Sequence, residues 1–138
     1  MVVGQGAFGV VYQARCVETQ EVFAVKKVLQ DKEFKSRELE LLMSFTHPNV
    51  INLRDHFVEK SEDDLGKTYL NLVSDYYPET LTRVLNYFRE EKNKTSLPPL
   101  LTKLYTFQML RALAYLHGAH NVAHRDIKPQ NLLIDPEV

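Results

Sequence analysis

The chain has a single cysteine, Cys16, so no disulfide can form within it and the small disulfide-stapled secreted folds are excluded. A reducing, intracellular compartment fits that usage. No basic cluster surrounds Cys16 to favour its thiolate, which leaves it a structural or surface thiol in an expected strand. Charge of one sign is also lacking: 17 basic and 18 acidic residues leave a formal net charge of −1, which points to neither nucleic acid nor an anionic membrane as partner. No apolar run approaches the length that spans a bilayer, and the N-terminus lacks the basic segment and apolar core of a secretory signal. A soluble protein of the cytoplasm, the nucleus or both is expected. Nothing repeats internally. What is present, 44% apolar residues in a chain of 138, suffices to bury a sizeable core.

From Met1 to Leu29 the pattern is β. Val10-Val11-Tyr12 and Val22-Phe23-Ala24-Val25 read as two strands of a hairpin turned by Glu18-Thr19-Gln20. Gly4 follows Met1 so closely that a strand leading into the glycines has almost no room, and the N-terminal edge reads as clipped. Between Ser36 and Phe45 the spacing of Leu39, Leu42 and Met43 predicts a short amphipathic helix, ended by His47-Pro48-Asn49. Val50–Val58 and Tyr69–Asp75 read as strands separated by a solvated acidic loop from Glu59 to Asp64. Glu79–Glu91 reads as a second helix. Leu101–His117 reads as a third, with Leu101, Tyr105, Met109, Ala112, Leu113 and Leu116 on one stripe, and a short strand is expected at Leu132–Ile134. The architecture is a mixed α+β one in two parts, joined at Asp75 to Pro78, where Pro78 stiffens the chain.

Three stretches carry chemistry. Gly4-Gln5-Gly6-Ala7-Phe8-Gly9-Val10-Val11 satisfies G-x-G-x-x-G-x-V, and Gly4, Gly6 and Gly9 would let backbone N–H groups approach a triphosphate. On its own this spacing also fits a flexible turn. A dinucleotide-binding turn would need a helix next, whereas Val10-Val11-Tyr12 continues as strand; a P-loop would need Lys where Val10 stands. Phe23-Ala24-Val25-Lys26 resembles the V-A-I-K strand one step downstream. Alternation puts Lys26 on the face of the small Ala24 and Lys27 on the other, although two solvent-exposed lysines are the plainer reading. Glu38 is the natural partner for Lys26, with Glu40 the competing choice and a solvated helix glutamate the bland one. Lastly, His124-Arg125-Asp126-Ile127-Lys128-Pro129-Gln130-Asn131 fills H-R-D-x-x-x-x-N. There Asp126 would orient and accept the proton of an attacking hydroxyl, Lys128 would neutralise a transferring phosphoryl group, and Asn131 would offer an amide oxygen to Mg²⁺. Taken singly, Asp126, Pro129 and Asn131 could be turn formers.

In this order the motifs resemble eukaryotic protein kinases over essentially the whole chain. Lys26-Lys27-Val28-Leu29-Gln30-Asp31-Lys32, Arg37-Glu38-Leu39, Asp75-Tyr76-Tyr77-Pro78-Glu79-Thr80, Lys103-Leu104-Tyr105 and Pro129-Gln130-Asn131-Leu132-Leu133-Ile134-Asp135-Pro136 are similar to glycogen synthase kinase 3 and its shaggy-type relatives. The resemblance implies a protein kinase-like fold: a five-stranded antiparallel N-lobe with one helix at 1–75, a hinge at 76–78, and the start of a helical C-lobe at 79–138. It implies a serine/threonine kinase using ATP and Mg²⁺, with adenine between Val11, Ala24 and Leu133 and its edge bonded to the backbone of Asp75 and Tyr77. Protein substrates, some already phosphorylated nearby, would be engaged through Arg37 and Arg125, whose guanidinium forks suit phosphate.

Two departures from the family pattern stand out. Ser74 occupies a position at the back of the adenine pocket where the family usually carries a larger apolar residue, which should enlarge the pocket. The 138 residues also contain no Asp-Phe-Gly, activation segment or Ala-Pro-Glu, so the chain reads as truncated after the catalytic loop and as inactive alone. A non-catalytic nucleotide- or partner-binding decoy or scaffold is the alternative. Weak nucleotide binding is expected to survive, with poor solubility from a C-terminal helix lacking its sheath.

Overall fold

The computed structural model describes residues 1–6, 9–30, 37–61, 66–90, 92 and 95–136, with the backbone but not the side chains of Arg37 and Glu38. Its contacts divide the chain into two units, one of residues 1–46 and 50–76 and the other of residues 47–49 and 77–138.

Among the described residues, the first unit is a five-stranded antiparallel sheet with one helix. Strands β1 (Val2–Gly6), β2 (Gly9–Arg15), β3 (Val22–Gln30), β4 (Leu53–Lys60) and β5 (Thr68–Asp75) lie in the order β1-β2-β3-β5-β4, and helix α1 (Arg37–Ser44) follows β3 in sequence. Paired on both edges, β5 supplies the core: Leu70, Asn71 and Leu72 are nearly inaccessible. The sheet and its single helix agree with the architecture expected from the sequence.

Several local expectations need correction. Although little chain precedes Gly4, β1 forms and runs through the glycines themselves, pairing Gly4 with Val11 and Gly6 with Gly9. Strand β4 starts at Leu53 rather than Val50 and continues through Glu59 and Lys60, which were expected in a loop; residues 62–65 lie outside the described residues. Met43, expected on the apolar face of α1, is 62% exposed. Cys16 falls just past the end of β2, where hydrogen bonds from the Thr19 side chain and backbone hold its thiol below its ordinary pKa.

The second unit holds β6 (Glu79–Thr80), α2 (Leu81–Glu90), α3 (Pro99–His120), a 3₁₀ turn (Pro129–Asn131) and β7 (Leu133–Ile134). Glu79 and Thr80 are not helical as expected; they pair with Ile134 and Leu133, and Thr80 Oγ1 accepts a bond from the Arg83 N–H at 3.3 Å, which caps α2. Helix α3 outruns its expected bounds at both ends. Pro99 fits at its start because its missing N–H would have no helical acceptor there. At its end Asn121 adopts φ 53°, and its N–H and that of Val122 both close onto the Leu116 carbonyl. The stripe Leu101, Tyr105, Met109, Ala112, Leu113 and Leu116, expected to lie exposed without its sheath, is instead the sheltered face; the exposed apolar row is a different one, Leu100, Leu104, Phe107 and Leu110. His47, itself part of this unit, stacks on Tyr115 at 4.9 Å between ring centroids, and Tyr115 meets His120 edge-on at 4.7 Å. Among the described residues no helix is long and apolar enough to cross a membrane.

Candidate active site

In the first unit, register gathers the sequence-predicted residues onto one face of the sheet. Val11 lies opposite Lys26, which lies opposite Leu72, while Gln13, Ala24 and Ser74 align one pleat further on. Partners and next-nearest residues share a face, so Val11, Ala24, Lys26 and Ser74 stand together, all half-buried. Lys27 is on the other face. Its ammonium bonds Glu59 Oε2 at 2.9 Å, lies 4.6 Å from the Tyr69 ring centroid, and shares Glu59 with the buried Asn71. Glu59 raises the Lys27 pKa and is itself lowered by Lys27, as in any matched pair. Lys27 is therefore tied into the sheet.

The glycines differ in kind. Gly9 has φ 122°, and a Cβ there would overlap the Lys27 carbonyl oxygen across the β2–β3 ladder. Among the described residues, nothing lies within 4 Å of where a Cβ at Gly6 would stand. Gly9 is thus required by the fold, and Gly6 is not. Ala7 and Phe8 between them lie outside the described residues, as do Asp31 and Lys32 and the side chains of Glu38 and Arg37. Glu40, the competing partner for Lys26, is exposed.

In the second unit the chain leaves α3 through Asn121 and enters a loop whose residues organise one carboxylate. Asp126 N–H donates to His124 Nδ1 at 3.2 Å, and Arg125 between them is held at φ 67°. Lys128 Nζ lies 2.9 Å from Asp126 Oδ2, and Asn131 Nδ2 donates both to that oxygen at 2.8 Å and to the Asp126 carbonyl at 2.9 Å. The 3₁₀ turn makes this reach feasible, because Pro129 starts it with φ fixed and the Asn131 N–H bonds the Lys128 carbonyl. Lys128 first, then Asn131, holds the Asp126 carboxyl below the usual carboxylate range. Asn131 turns its amide nitrogen to Asp126, so the amide oxygen is the atom of this residue suited to a hard cation. Tyr77 and Leu133 belong to this unit, half-buried and exposed respectively, and Arg125 is exposed.

Arg54 was not singled out by the sequence. It forms a two-point ion pair with Asp75 (Nε–Oδ1 2.8 Å, Nη2–Oδ2 3.1 Å) at the edge of a depression of about 400 Å³ completed by Glu21, Val22 and Phe23. No local signal marks a partner 21 residues away. This depression is the first unit's own and contains none of Val11, Ala24 or Lys26.

The entire chain, residues 1–138, matches the family model of the protein kinase domain, and the chain belongs to that family. Family membership brings phosphoryl transfer from ATP, with Mg²⁺ and a protein acceptor, as the general activity.

Proposed function

We propose that the chain provides the nucleotide-binding sheet and catalytic loop of a serine/threonine kinase of the glycogen synthase kinase 3 (shaggy-type) group, acting in the cytoplasm or nucleus. The convergence of Lys128 and Asn131 on the Asp126 carboxylate is the observation that carries this reading. A carboxylate of lowered pKa stays ionised at neutral pH. It orients a serine or threonine hydroxyl and takes its proton late, as the γ-phosphoryl passes to that oxygen. Lys128, already beside the carboxylate, supplies positive charge where the phosphoryl oxygens gather charge. Gly4, Gly6, Gly9 and Lys26 would hold the triphosphate, Glu38 would pair with Lys26, Val11, Ala24 and Leu133 would sandwich adenine, and the backbone of Asp75 and Tyr77 would bond its edge. Mg²⁺, when bound at the Asn131 amide oxygen, supplies charge neutralisation. Arg37 and Arg125 would engage a phosphate already on the substrate. The 138 residues contain no Asp-Phe-Gly, so expressed alone they are expected to transfer phosphate at background.

The test uses the protein at its natural length, expressed in its cells of origin and assayed on peptides bearing Ser, Thr or Tyr with and without a neighbouring phosphoserine. Transfer to Ser and Thr but not Tyr, falling by about 10² to 10⁴ in Asp126→Asn, is expected. Nucleotide binding with no transfer to any peptide would replace this reading with that of a non-catalytic scaffold.

A further inference from the structure

We propose that Arg54 is a positioning residue that fixes the end of β5 for adenine. The pairing of β4 with β5 slips between Leu53, opposite Ser74, and Asp55, opposite Val73, which leaves Arg54 the surplus residue of a bulge. Bulges re-aim side chains. Here the guanidinium is delivered to Asp75, the last residue of β5, and grips both carboxylate oxygens.

The location explains the need. Asp75 pairs with Phe23 on β3 as the last registered pair of β5, and beyond it the chain leaves the sheet through Tyr76. A planar fork with two parallel bonds sets the angle of a carboxylate as well as its distance. The Asp75 side chain is 29% exposed and that of Arg54 is 58% exposed, so the pair sits at the rim of the depression, outside the core. Its effect is then expected on orientation more than on global stability. This inference rests on the reading of Asp75 as an adenine-binding residue. A lysine at 54 would keep the charge and lose the fork.

The experiment titrates the 138-residue chain, and its Arg54→Ala, Arg54→Lys and Asp75→Asn variants, with ADP and separately with inorganic tripolyphosphate, alongside thermal melts. Positioning predicts ADP binding weakened by about two- to fivefold in Arg54→Ala and in Asp75→Asn, an intermediate loss in Arg54→Lys, and no additional loss when Arg54→Ala and Asp75→Asn are combined. Tripolyphosphate, which has no base, should bind all of them equally. Equal loss for both ligands would reduce Arg54 to a merely structural residue and overturn the proposal, as would unchanged ADP binding in Arg54→Ala. Should Arg54→Ala not fold, Arg54→Lys decides by the same comparison. A wild-type chain that binds tripolyphosphate but shows no gain from the base would instead overturn the adenine reading, and this inference with it.

Discussion

Asp126 and Gly9 show how differently two motif residues can be constrained. For Asp126 the constraint is electrostatic. Its folded pKa lies below that of the unfolded chain, so the pairing with Lys128 and Asn131 stabilises the loop at pH values above the unfolded pKa, and that contribution is lost as pH falls through the folded one. Because the group is exposed, the effect belongs to the loop more than to the whole molecule. Replacing Lys128 by Ala should return the Asp126 pKa toward the ordinary carboxylate value, read by the pH titration of its side-chain carbonyl carbon in NMR; an unmoved midpoint would show the ion pair to be absent in solution. For Gly9 the constraint is backbone shape. Gly9→Ala should lower stability by about 1 to 3 kcal/mol through a strained φ and the overlap with the Lys27 carbonyl, whereas Gly6→Ala should stay within about 0.5 kcal/mol in denaturant unfolding. If the two variants unfolded alike, the β2–β3 register described above would be wrong. The motif spelling treats these glycines as equivalent. Only the partner strand tells them apart.

Among the elements, those legible in the sequence are the ones whose signal is local. The β2–β3 hairpin, α1 and α3 each follow from a period, a turn or a cap within a dozen residues, as does the alternation that separates Lys26 from Lys27. The elements misjudged depend on partners far along the chain. Glu79 and Thr80 continue the helical pattern of α2 but are drawn into strand by Leu133 and Ile134, and Glu59 extends β4 because Lys27 and Asn71 lie across the sheet. The same distance hid Arg54. One signal here is local: Thr80 directly before an apolar-periodic run is a helix N-cap by residue type. Thr80→Ala should cost about 1 kcal/mol, while Thr80→Ser, which keeps the oxygen that accepts from Arg83 N–H, should cost much less. Equal losses in chemical denaturation would assign the threonine's value to its place in β6 instead.

At the scale of the whole chain, α3 is apolar on two opposite faces. One face, from Leu101 to Leu116, is sheltered from solvent. The other presents Leu100, Leu104, Phe107 and Leu110 at 76%, 41%, 59% and 55% exposure, one turn above another. Periodicity alone could place both rows on a helix but could not say which was sheltered, because each has the spacing of a buried stripe. An isolated exposed leucine needs no explanation, but a contiguous row of four large apolar side chains favours association of the 138-residue polypeptide. The sedimentation coefficient of that polypeptide should therefore rise with concentration, and Leu104→Lys together with Phe107→Lys should suppress the rise without lowering the thermal midpoint, since neither side chain is part of the sheltered stripe. A wild-type polypeptide that stays monomeric at every concentration and melts in one sharp transition would mean that this row is not the adhesive surface its exposure indicates. A double variant that unfolded would instead mean that the row packs inside its own unit in solution.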